Sequence, residues 1–125
     1  MIVTLGGNDA LRGIDPAVSR ANLHGILNEA RAADVTVLLI GMKAPGNFGP
    51  DYKAEFDSMY PELAEEFNAV FSDSFFVGLG DAINDPVALG PYMQGDAIHP
   101  NAAGVALIVK GVGPKLVELL ERVSG

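Results

Sequence analysis

The stretch "VTVLLI", Val35 to Ile40, decides the fold class. It is rich in β-branched residues and apolar without alternation. A strand covered by helices on both faces reads this way, as strands of parallel sheets do. The segment before it, from Pro16 to about Ala33, repeats apolar residues at helical spacing: Leu23, Ile26, Leu27 and Ala30. Asp15 is placed to cap that helix, with Pro16 at its first position. Upstream of the helix, Met1 to Leu5 reads as another short buried strand, ended by Gly6 and Gly7. Downstream, "GMKAPGNFGP" is a loop by its Gly, Pro and Asn content.

A second helix is predicted from about Tyr52 to Phe67, with Tyr52, Phe56, Met59, Tyr60, Leu63 and Phe67 on its apolar face. Pro61 sits inside this pattern and is expected to kink or restart it. Ala69 to Phe71 is a third, weaker strand. Ser72 to Gly95 reads as a long irregular segment with a turn of helix near Ala82. A last helix is predicted from near Asn101 to about Arg122, bent or divided at Gly111, Gly113 and Pro114. The order β-α-β-α-β-loop-α predicts an α/β domain, residues 1–125, with a parallel sheet between helix layers and right-handed crossovers. Ligands of such sheets bind at the carboxyl ends of the strands. "GGND", Gly6 to Asp9, and "GDAIHP", Gly95 to Pro100, both belong at that rim.

Composition narrows the function classes. The 125 residues are 49% hydrophobic and 19% charged, which fits one folded domain rather than a disordered chain. With 0 Cys, disulfides, thiolate metal sites and a cysteine nucleophile are excluded. A net charge of -8, spread along the chain, disfavours nucleic acid as a partner. No apolar run is long enough for a membrane span. No basic-then-apolar leader is visible, so a cytoplasmic chain and a mature chain whose leader has been removed fit equally.

Asp96 and His99 are the first candidates for chemistry. A carboxylate can hold the Nδ1 proton of an imidazole and leave Nε2 free as a general base. A hydroxyl nucleophile needs such a base. The plainer reading makes Asp96 a turn cap and His99 an ordinary residue before a proline. In "GGND", Asn8 offers an amide that can face a developing oxyanion, a contact worth about 3 kcal/mol. Asp9 can orient the loop. The plainer reading is a Gly-Asn turn. Neither a dinucleotide nor a P-loop glycine pattern is present. His24 lies beside the apolar stripe of the first long helix and reads as half-buried packing. Asp81 and Asp85 read as loop polar groups, and Phe71, Phe75 and Phe76 as core. No spacing asks for a metal.

Taken together and in this order, the two motifs resemble the SGNH or GDSL hydrolase superfamily, near its bacterial arylesterase, thioesterase I and lysophospholipase group. Gly6, Gly7, Asn8 and Asp9 match the third block of that family. Asp96 to His99 match the fifth, and "PNAAG" follows as in the family. The flanks "LGGNDALRG", "KAPGNFGPDY" and "FDSMYPELAEEF" extend the resemblance over nearly the whole chain. It implies a flavodoxin-like three-layer sandwich with five parallel strands and an ester, thioester or lysophospholipid substrate. It implies no cofactor. By resemblance His99 is the general base, Asp96 its orienter and Asn8 an oxyanion donor, with Asp9 supporting the Asn8 loop.

The family's first block, Gly-Asp-Ser with the nucleophile, does not occur in the sequence, and neither does the second-block glycine. The serines present are Ser19, Ser58, Ser72, Ser74 and Ser124, and none follows a strand in the glycine setting of that block. The nucleophile is therefore unassigned. Three explanations fit: an amino-terminally truncated hydrolase lacking its first two strands, a site completed by another segment, or a family member that only binds. The first is the expectation. It leaves the strand beginning at Ile2 as an uncovered edge, which predicts self-association.

Overall fold

In the computed structural model, which describes residues 1–124, three short parallel strands form one sheet in the order β1-β2-β3. They are β1 (Ile2–Val3), β2 (Leu38–Ile40) and β3 (Val70–Ser72). Ile2 pairs with Leu38 and Val3 with Leu39; Leu38 to Ile40 pair with Val70 to Ser72. β1 and β2 are shorter than the apolar runs that announced them, and β3 lies one residue beyond the expected Ala69 to Phe71. Single hydrogen bonds carry the pairing further, from the amino terminus to Thr36 O at 2.7 Å and from Val70 N to Val37 O at 2.9 Å.

The helices are α1 (Gly7–Arg12), α2 (Pro16–Ala32), α3 (Pro50–Glu66), α4 (Pro86–Leu89) and α5 (Ala102–Ser124). Asp15 caps α2 as its position predicts, accepting from Ala17 N at 2.9 Å. The alternation of β2 sorts its side chains. Leu39, with Val3 and Val37, packs against Leu23 and Leu27 of α2 and Phe56, Met59, Tyr60 and Leu63 of α3. Leu38 and Ile40, with Val70, pack against Leu119 of α5. The sheet therefore lies between two helix layers, as the fully apolar "VTVLLI" required.

Three expectations are corrected. "GGND" is not a free turn: Gly7 opens α1, and Asn8 and Asp9 lie in its first turn. An acid there suits the positive end of a helix. Pro61 neither restarts nor ends α3, which runs through it; Phe56, Met59, Tyr60 and Leu63 are buried on both sides of it and hold the helix across the missing N–H. Gly111, Gly113 and Pro114 do not divide α5. Gly111 instead permits close approach. A Cβ there would meet Gly78 N at 2.4 Å, so α5 packs backbone to backbone against the 3-10 segment Val77–Asn84. The irregular stretch after β3 is thus a run of short helical turns, Val77–Asn84, α4 and Gly90–Tyr92; the first and last dock on α5, and α4 packs against those two.

Candidate active site

Asp96 and His99 form the pair that their spacing suggests. His99 Nδ1 lies 2.7 Å from Asp96 Oδ2. The other carboxylate oxygen accepts from the backbone N–H groups of Ile98 at 2.9 Å and His99 at 3.0 Å. Asp96 is therefore both the turn cap of the plain reading and the imidazole's partner. The turn requires Ala97 at φ 56, in the left-handed region. The hydrogen bond from the His99 ring, then those from the two backbone N–H groups, hold the Asp96 carboxyl well below the usual carboxylate range. A carboxylate only accepts, so Nδ1 is the nitrogen that carries the proton in the neutral ring, which leaves Nε2 its lone pair in that form.

Both flanks of this turn are pinned. Gln94 N donates to His99 O at 2.7 Å, and Gln94 Nε2 to Pro100 O at 3.0 Å. Asn101 caps α5 by accepting from Gly104 N at 3.1 Å, and its amide donates to Pro91 O and Met93 O.

Asn8 is exposed on the first turn of α1, and its amide makes no hydrogen bond among the described residues. Its position is set from below. Gly6 stands at φ 114, a conformation open to glycine, and a Cβ there would fall 2.1 Å from the Tyr60 hydroxyl. That hydroxyl donates to Leu5 O at 2.9 Å. Burial, with the Asp9 charge second, pushes its pKa far up and keeps it a donor. Asp9 Oδ2 accepts from the buried Ser19 hydroxyl at 2.9 Å, and Tyr52 OH donates to Ile14 O at 3.0 Å. Nothing in the sequence marks Ser19, Tyr52 or Tyr60 as site residues. All three read as ordinary members of helix faces, and their partners lie far away in the chain.

Loops after all three strands line one cavity of about 680 Å³. Thr4 and Gly7 come from the end of β1, Gly41 to Lys43 from β2, and Ser74 to Phe76 from β3. The site is thus at the carboxyl ends of the parallel strands. Gly7 of the first motif and Ile98 of the second both line it, which brings the two motifs to one rim. Asn8 itself lines the adjoining groove, which shares Thr4, Gly7, Leu11 and Met42. His99 stands outside both, solvent-exposed at the rim.

Phe75 and Phe76, expected in the core, line the cavity with Met42 and Ile83, although Phe75 also packs against the α5 side of the core. His24 packs edge-on against Phe67 and lies 3.1 Å from Glu66, away from this rim. Asp85 caps α4.

The serines have other work. Ser19 is buried on Asp9, Ser58 donates to Glu55 O, and Ser72 donates to Ser74 O. Ser74 lines the cavity, but its Oγ accepts from Phe76 N at 3.0 Å. The side chain of Ser124 lies outside the described residues.

Comparison with known proteins gives a consistent result. The sequence profile of the GDSL-like Lipase/Acylhydrolase family matches residues 1–107. Esterase TesA of Pseudomonas aeruginosa is 35% identical over 120 residues, 96% of this chain and 56% of that protein. Thioesterase 1/protease 1/lysophospholipase L1 of Escherichia coli is 34% identical over 125 residues, 99% of this chain and 56% of that one. The crystal structure of the psychrotrophic esterase EstA from a Pseudoalteromonas species, inhibited by monoethylphosphonate, superposes with a TM-score of 0.81. It is 28% identical, and the match covers 96% of this chain and 62% of that one. The chain therefore spans little more than half the length of the curated relatives it matches.

Proposed function

Because the chain belongs to the GDSL-like lipase/acylhydrolase family, we propose that it carries the acid–base half of a serine ester hydrolase. The observation that carries this reading is the 2.7 Å contact of His99 Nδ1 with Asp96 Oδ2 beside a cavity at the strand ends. In this reading His99 Nε2 takes the proton of a serine hydroxyl as that oxygen attacks an ester or thioester carbonyl. The serine is none of those in these 125 residues. Asn8 Nδ2–H donates to the carbonyl oxygen as it becomes an oxyanion. The imidazolium then returns the proton to the departing alcohol or thiol, and water releases the acid by the same steps in reverse order. Asp96, held as a carboxylate, fixes the imidazole and stabilises its charged form. Asp9 holds the first turn of α1, and with it Asn8, through Ser19. The walls formed by Met42, Phe75, Phe76, Ile83 and Ile98 suit an apolar acyl group.

The test has two arms. The purified chain with a short-chain nitrophenyl ester is expected to give little or no turnover. Strong turnover dependent on His99 would show that one of its own serines is the nucleophile. In the second arm the chain is joined to the part of the Pseudomonas aeruginosa esterase that it does not match. Turnover is then expected, falling on His99→Ala and dropping about 10²- to 10³-fold in kcat on Asn8→Ala. Turnover that survives His99→Ala removes the mechanism. Fatty-acid binding by the joined protein without any turnover favours the alternative, an α/β domain that only binds.

A further inference from the structure

Phe48, Tyr52, Phe56 and Tyr60 stand four residues apart, the last three on one face of α3. Their rings form a row, with successive centroids 5.2, 6.0 and 5.8 Å apart. The helix α1 lies along this row. At one end Gly6 sits against the Tyr60 hydroxyl, with Phe56 beside it. At the other end Gly13, at φ 63, sits against Phe48, where a Cβ would fall 2.6 Å from the ring. Between the two glycines, Ala10 is buried in one cluster with Phe56 and Tyr60. At roughly 100° per residue, Asn8 lies on the far side of α1 from Ala10, and it is exposed. The seating of α1 on the rings therefore sets the direction in which Asn8 leaves the helix.

Such a helix needs support from outside. It has 6 residues, and an isolated helix shorter than about 12 residues is marginal in water. Tyr60 holds the chain entering its first turn, and Ser19 holds Asp9 within that turn. Tyr52 holds the other end. Its hydroxyl donates to Ile14 O at 3.0 Å and lies 3.5 Å from Asp9 O. Asp9 O also accepts from Ile14 N at 3.0 Å. One hydroxyl thus faces two carbonyls of the turn that closes α1. Partial burial, then the Asp9 and Asp15 charges, raises the Tyr52 pKa, so the hydroxyl stays a donor. Asp9 follows Asn8 directly in the chain, so a shift of this turn carries the Asn8 amide with it.

We infer that Tyr52 is a positioning residue for the oxyanion donor: packed between Phe48 and Phe56 and bonded to the turn at Ile14, it fixes the tilt of α1 on α3 and so aims the Asn8 amide. The inference rests on the proposed role of Asn8 in ester hydrolysis. Tyr52 acts through Asn8, where a misplacement of about 1 Å can cost about 10²-fold in rate. The oxyanion develops only after the substrate has bound, so the loss falls on kcat and spares KM.

Two measurements test this. In the joined enzyme, Tyr52→Phe is expected to lower kcat for a short-chain nitrophenyl ester about tenfold and to change KM less than about twofold. In the Asn8→Ala background the same substitution is expected to change kcat less than about twofold, since no amide is left to aim. In the 125-residue chain, amide exchange at Gly13 and Ile14 is expected to quicken at least about tenfold on Tyr52→Phe, while Leu27 in α2 keeps its rate. Turnover that needs His99 and Asn8 but is indifferent to Tyr52→Phe overturns the inference and leaves the ester-hydrolase mechanism in place. Equal losses of kcat with and without Asn8 overturn it, as a general loss of structure would give. Exchange that is unchanged at Gly13 and Ile14, or that quickens equally at Leu27, overturns it as well. A joined protein with no turnover before any substitution removes the mechanism and this role together.

Discussion

Gly6 is the residue on which the first motif turns, and its replacement by alanine separates two physical effects. Gly6→Ala forces a side chain into φ 114, a conformation that costs roughly 1–3 kcal/mol. It also puts a Cβ 2.1 Å from the Tyr60 hydroxyl oxygen. Relieving that overlap moves a buried ring, an overpacking cost of about 1–3 kcal/mol. The bond from Tyr60 OH to Leu5 O, 2.9 Å, breaks with it. Tyr60→Phe alone removes only the hydroxyl and its bond, and should cost about 1 kcal/mol.

In the Tyr60→Phe background the next obstacles to the new Cβ are ring carbons of residues 60 and 56, at 3.4 and 3.5 Å, which are ordinary contacts. Only the backbone cost then remains. Urea unfolding followed by circular dichroism, at one fixed low protein concentration, is therefore expected to show Gly6→Ala costing about 3–7 kcal/mol alone and about 1–3 kcal/mol beside Tyr60→Phe. The difference is a coupling of about 2–4 kcal/mol. Equal costs in the two backgrounds would refute the claim that the Tyr60 hydroxyl and Gly6 share one space.

Ser19→Ala leaves Asp9 Oδ2 without its donor in a partly buried place, and should lower stability by about 1–3 kcal/mol in the same urea assay. Asp57 accepts from Ala44 N at 2.7 Å and from Lys53 Nζ at 2.9 Å, and Lys53 also donates to Ala44 O; Asp57→Ala should speed amide exchange across residues 41–45, the cavity wall after β2. The depressed carboxyl of Asp96 sets a sign for pH: its stabilising bonds are fully present above the unfolded carboxylate value of about 3.9, and are lost as pH falls through the lower folded value. Amide exchange at Ile98 and His99 should therefore stay protected at about pH 4 and open only as the pH falls further, through the lower folded value, and Asp96→Asn should remove that pH dependence. Ser74→Ala should leave the turnover of the joined enzyme unchanged, because its hydroxyl is occupied by Phe76 N.

Much of this site could be read along the chain because it is local. Asp96 and His99 sit three residues apart, and one turn is enough to join them, whatever the rest of the fold does. The capping of α2 by Asp15 is local in the same way. The course of "GGND" differs from the turn its glycines suggest, because the α1 that follows is fixed by Ala10 N bonding back to Gly6 O. Neither Pro61 nor Gly111 divides its helix, although propensity favours a break there, because packing around them overrides it.

The residues by themselves determined the three strands and the three long helices, the order of these six, the parallel sheet and the acid–imidazole pair, since each depends on periodicity or on neighbours a few positions apart. Only the tertiary structure decided that Ser19 holds Asp9, that Tyr60 fills the space over Gly6, and that Phe75 and Phe76 line a cavity. Those contacts join positions 10 to 55 residues apart. No local pattern encodes such contacts, because they exist only once the chain has closed on itself.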